Sequence, residues 1–276
     1  MPKKNLSSSG QTGPLSVGNV VSASLRIYRD HFKSYFGLAF VGSLWLLVPI
    51  YGWAKYSAIS ALISRLAFGE VREKPETVSD ARREVNPRMW SFLGAGILTA
   101  LIYFGVSFLG GIAMFFVGRG AGALFGQNSP IVAAFVLVAV LAFLIIYIRI
   151  ISRLLIVEVP LAIENNIGAR SAIGRSWELT KGSVGRIVWI VIVAFLVSLP
   201  LGIVGQIVTG IVRRVVFSKL FAKSGLFYLV YYLLIWPPLS VGDGSLVIPF
   251  WQAMKAIIYY DLRSRKEGLG LPIRDR

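Results

Sequence analysis

Cysteine is absent, and histidine occurs once, at His31. The first absence excludes disulfide staples, thiol nucleophiles and cysteine-based zinc sites. The second excludes the usual imidazole metal site and any two-histidine proton relay. Charge is scarce as well: 15% of the 276 residues are Asp, Glu, Lys or Arg, against roughly 25% in soluble domains. Acidic residues are the scarcer kind, 13 against 29 basic ones, for a net charge of +16. No P-loop, H-E-x-x-H, G-x-S-x-G or EF-hand spacing occurs. No pattern therefore supports an enzyme, a metal centre or a cofactor, and a non-enzymatic protein with none of these is expected.

What is abundant is oil. Hydrophobic residues make up 55% of the chain, and the mean hydropathy is +0.69. That balance fits a chain whose solvent is largely lipid. Basic residues flank the apolar runs, so their excess reads as attraction to anionic headgroups rather than to nucleic acid. The expected partners are membrane lipids, with another membrane protein as the further candidate. The oligomeric state stays open.

The apolar runs come in order: 35–50, "YFGLAFVGSLWLLVPI"; a less oily stretch from Trp53; 89–118; 131–151; 187–212; and 226–260. A span takes about 20 apolar residues, so the first two runs are short and read as a helical hairpin. The expectation is an all-α, polytopic integral membrane bundle of about six helices. Residues 15–267 form the single membrane domain, between a disordered cytoplasmic tail (1–14) and a short cytoplasmic tail (268–276). Pro200 predicts a kink, and "WPPLSVGDGS" predicts a break between two short helices, read as an outer loop ahead of a broken-helix binding site.

With six crossings, the basic clusters Arg26–Arg29–Lys33, Arg72 to Arg88, Arg149 to Arg186 and Arg263–Arg265–Lys266 fall on one side, the cytoplasm. The segment 213–223, with Arg213, Arg214, Lys219 and Lys223, then sits on the wrong side. It is read as an amphipathic helix in the outer interface. Three times a polar, Arg-bearing stretch leads into an apolar run: "VGNVVSASLRIYRDHF", "TVSDARREVNPRMW" and "ARSAIGRSWELTKGSVGRIV". These predict surface helices lying in the headgroup plane with Arg on phosphates, and turns near Pro87 and Gly182.

"LSVGNVVSASLRIYRDHFKSYFG", "AIENNIGARSAIGRSWELTKGSVGRIV" and "AIIYYDLRSRKEGL" together resemble an uncharacterised bacterial membrane family. It is similar to the membrane domain fused to some glycerophosphodiester phosphodiesterases and, more distantly, to the YciC-like membrane proteins. "LWLLVPIYGWAKYSAISALISRLAFGE" looks like cyanobacterial members. The resemblance covers nearly the whole chain after Pro14 and implies a six-helix fold in a bacterial inner membrane or a thylakoid. It implies no activity. A phosphodiesterase barrel takes about 250 residues, for which no length remains.

Two groups of residues stand out. Arg170, Arg175, Trp177, Lys181 and Arg186, with Tyr260, Asp261 and Arg263, are candidates for lipid or partner contact. The structural alternative pairs Arg175 and Lys181 with Glu178, lets Glu158 and Glu164 line a vestibule, makes Tyr259 and Tyr260 an interfacial belt and pairs Asp261 with a nearby Arg. The second group, Lys55, Asp243 and Lys255, are charges inside apolar runs, the pattern of a transporter or lipid-handling cavity. Glycines around 105–111 and in "GRGAGALFG" suit close helix contact, within the chain or between copies.

Overall fold

The computed structural model describes residues 15–220 and 236–268, and these are helical with no strand. The tail 1–14, Lys223 and residues 269–276 lie outside the described residues, as does the first part of the run 226–260. The helices are α1 (Val17–Asp30), α2 (Phe32–Trp45), α3 (Tyr51–Val71), α4 (Val78–Val85), α5 (Met89–Phe125), α6 (Pro130–Leu154), α7 (Glu158–Ile163), α8 (Ala169–Thr180), α9 (Val184–Leu220) and α10 (Trp236–Glu267).

Local chemistry sets several of their starts. Ser16 caps α1 by accepting from the Asn19 amide, and Thr77 caps α4 through Asp80. Ser129 caps α6, whose first residue is Pro130, where a missing N–H costs nothing. Pro87 falls in a single 3-10 turn between α4 and α5. The α2–α3 hairpin turns at Ile50 and Gly52. A Cβ on Gly52 would lie 1.7 Å from the Trp45 carbonyl oxygen, so only glycine fits there.

α10 is the central element, packed against α1, α2, α3 and α9. It fully buries Phe250, Met254, Ile257, Ile258 and Tyr259 against Leu62 and Ile63 of α3 and Ile187 and Ile190 of α9. α5 and α6 form a second unit, a hairpin whose membrane-facing windows are 0% buried. Leu101, Phe104 and Phe108 of α5, and Leu137, Val138 and Ile145 of α6, all point outward. The two legs approach closely at Gly110, where an added Cβ would lie 2.0 Å from Cε2 of Phe143. Gly110 therefore serves contact within the chain.

Three helices are long and apolar enough to cross a membrane, within 78–125, 130–163 and 184–211. α2, at 14 residues, is shorter than a span, and much of α3 is buried by protein. The described residues are thus all-α, with three helices of the length and composition that a membrane span needs.

Three expectations are corrected. The segment 237–244 is no loop: α10 runs unbroken from Trp236. Pro237 and Pro238 occupy its first turn, where helices tolerate proline; Pro200, where a kink is expected, lies inside α9. Next, α1, α4 and α8 do not give their apolar faces to lipid. Val20, Val21 and Tyr28, then Ala81 and Val85, then Ala172 and Leu179, are buried in the protein core. Helical periodicity marks a buried face but not whether protein or lipid covers it. Lastly, the segment from Arg213 begins as a continuation of α9 to Leu220 rather than a separate helix, with Arg214 exposed.

Candidate functional site

The C-terminal turns of α10 meet α7, α8, the start of α9 and residue Leu15 at one polar end of the molecule. Glu164 follows α7 and accepts from Arg175 Nε at 3.0 Å and from the Tyr259 hydroxyl at 2.5 Å. Arg175 also pairs with Glu267, which in turn holds Arg263 at 2.8 Å. Arg263 comes within 4.0 Å of Glu164, closing a ring of alternating charge between α8 and α10. Burial alone would raise the Glu267 carboxyl, but the Arg263 and Arg175 guanidinium groups outweigh it and hold the group below its usual range. Burial likewise pulls Arg175 and Arg263 down, and their carboxylate partners more than reverse that.

The ring is tied into the backbone. Arg88 donates to the carbonyls of Glu164 and Ile167 at 2.9 and 2.7 Å. Lys266 donates to the carbonyls of Glu178 and Lys181 at 2.7 and 2.9 Å, satisfying the open end of α8.

Beside the ring, Asp261 is 4% exposed. It accepts from Arg186 at 2.5 Å, from Arg265 at 2.9 Å and from the Leu15 amide at 3.0 Å. Arg186 also bonds the Leu15 carbonyl. A charge this buried needs such partners, since desolvation otherwise costs several kcal/mol.

These bonds relocate several residues first read as lipid contacts. Arg175 and Arg186 are turned inward onto carboxylates of the protein, Glu164 and Glu267 for the first and Asp261 for the second, as charge-assisted hydrogen bonds favour. Arg175 pairs with Glu164 and Glu267 rather than with Glu178. Tyr259 is buried rather than interfacial, and its ring lies 5.6 Å from that of Phe68. Tyr260 is half-buried. Arg170 and Lys181 are exposed, and neither has an ion-pair partner among the described residues. Trp177 is exposed with the Arg153 guanidinium 4.4 Å from its ring centre. His31 lies 3.3 Å from Glu70.

The charges inside the apolar runs separate. Lys55 sits 5.8 Å from the Tyr51 ring centre. Asp243 is in the second turn of α10, and its side chain lies outside the described residues. Lys255 is the one placed in a cavity, a space of about 310 Å³ walled by α3, α5, α10 and the α6–α7 link. There it donates to Glu158 at 2.6 Å. Ser57, Thr99 and Tyr103 line the same space, Lys55 does not, and Thr99 Oγ1 is buried without a partner.

Sequence reasoning missed Glu267, Arg88, Thr99 and the backbone role of Lys266. Glu267 stands four residues after Arg263, a spacing that signals a helical pair. Nothing in the sequence marked Thr99. No group of three or more His, Asp or Glu able to hold a metal occurs among the described residues. Neither family models, nor curated proteins, nor solved structures match this chain.

Proposed function

We propose that this is a non-enzymatic integral membrane protein that crosses the bilayer six times and acts as a scaffold or accessory component at the cytoplasmic surface. The crossings are α5, α6, α9 and α10, together with α2 and α3 as a short hairpin whose second leg is covered largely by protein. An even number returns the chain to its starting side, in keeping with the clamp of Leu15 on Asp261. The same reading fits the membrane family that the sequence resembles.

The observation that carries the proposal is a division among the cations of the polar end. Arg175, Arg186 and Arg263 are consumed by internal carboxylates. Arg26, Arg82, Arg83, Arg170 and Lys181 stand exposed on helices whose other faces are locked into the core, with no ion-pair partner among the described residues. A rigid head with spare positive charge suits anionic lipid or an acidic partner, at about 1 kcal/mol per residue near the surface.

The test uses the full chain in nanodiscs containing anionic lipid. Quenching of Trp177 by brominated lipid is isolated by difference against Trp177→Phe. Reversing Arg82, Arg83, Arg170 and Lys181 to Glu should weaken that quenching while the spans stay inserted. Unchanged quenching, with no membrane partner co-purifying from the parent in mild detergent, would remove the proposal.

A further inference from the structure

The pair Lys255–Glu158 is built unlike the ion pairs of the polar end. Its partners make no other hydrogen bond among the described residues, whereas Asp261 and Glu164 are each held by several donors. Both side chains remain accessible, at 19% and 27%, through the cavity they line. Ion pairs between helices are normally closed by further hydrogen bonds, because open lone pairs and protons are costly. Here the remaining capacity of both groups faces the cavity they line.

We propose that this cavity binds the headgroup of a zwitterionic phospholipid, with phosphate on Lys255 and the ammonium group on Glu158. The site carries one positive and one negative charge side by side. A lone anion would meet the Glu158 carboxylate and a lone cation the Lys255 ammonium. A dipolar headgroup laid antiparallel to the pair satisfies both. The volume, about 310 Å³, lies at the lower end of small-molecule sites, roughly 300–1,000 Å³, and so suits a headgroup rather than a whole lipid.

The same phosphate–ammonium chemistry exists in soluble molecules, and the rim decides for a lipid. Gly96 and Ala100 of α5 border the cavity and are exposed. Around them on the same helix, Ile97, Leu101 and Phe104 face outward with 51%, 59% and 68% of their surface free. Acyl chains leaving the cavity therefore meet an apolar track. Phe92, Ala95, Leu154 and Val157 supply the inner apolar wall.

The experiment is native mass spectrometry of the full chain from nanodiscs holding equal phosphatidylethanolamine and phosphatidylglycerol. One tightly retained phosphatidylethanolamine is expected, at least tenfold over phosphatidylglycerol. Glu158→Gln should erase that preference. Ala100→Phe, which fills the rim and leaves the ion pair alone, should lose the bound lipid at least tenfold with an unchanged melting temperature. Equal retention of both lipids, or retention by Ala100→Phe, overturns the proposal. Displacement by millimolar phosphoethanolamine would overturn the lipid assignment in favour of a soluble zwitterion. This outcome is independent of the surface reading, whose test alters only cations at the polar end.

Discussion

Asp261 and Arg186 meet at 2.5 Å although 75 residues separate them in sequence. The bond joins the end of the central helix to the start of α9, and both residues also hold Leu15. Removing one member of a buried pair costs about 3–5 kcal/mol. Arg265 stays with Asp261, so Arg186→Met should cost about 3 kcal/mol, read as a lower melting temperature in nanodiscs. Proteolysis near residue 15 should become faster. Adding Asp261→Leu should cost less than the two single losses added together, because both substitutions remove the same bond. A double variant weaker than the sum of its parts would show that the pair is not the source of the effect.

Acid should loosen α8 from α10 through Glu267. Its folded pKa lies below its unfolded value, which is about 4.3. Its stabilising contribution is therefore fully present above that unfolded value and is lost as pH falls through the lower folded one. Arg175 and Arg263 shift upward mainly through their carboxylate partners, so below the arginine range their contribution holds only while Glu164 and Glu267 are ionised. Trp177 emission followed from neutral pH downward should change only at acid pH. Glu267→Gln should reduce the amplitude of that change, and a transition near neutrality would contradict the assignment.

Gly110 and Phe143 set the approach of the hairpin legs. A leucine at 110 has to displace the ring, and overpacking of this kind costs about 1–3 kcal/mol. Gly110→Leu should lower the melting temperature, and Phe143→Ala in the same chain should restore it in part. Failure of that rescue would place the ring contact elsewhere.

Reporter fusions after Glu76, Asn165 and Arg276 should give cytoplasmic signals, and a fusion after Gln127 the opposite one. A cytoplasmic signal after Gln127 would refute the six-crossing arrangement.

The helical class and the hairpin spans were legible because long apolar runs leave few alternatives. The ends of the runs were less so. "WPPLSVGDGS" contains every breaker that usually stops a helix, yet two of its prolines fall where a helix begins. The faces of α1, α4 and α8 were visible as periodicity, but Ala172 and Leu179 look the same in sequence whether lipid or protein covers them. Arg175 and Arg186 were singled out for lipid or partner contact, and the structure pairs both with carboxylates of the protein. Their partners Glu267 and Asp261 stand 75 or more residues further along the chain, and that distance is what a reading of local spacing cannot cross.

The bare α5–α6 windows divide the molecule's backbone protection between two solvents. In the α10 core, amides are shielded by side chains, so their exchange with deuterium is governed by the chain's own opening. Along the lipid-facing stretch of the hairpin, the partner leg and the acyl chains supply most of that shielding. Exchange in nanodiscs should be slow in both. Transfer to a short-chain detergent should leave the α10 core slow and release the hairpin first, splitting one pattern of protection into two tiers.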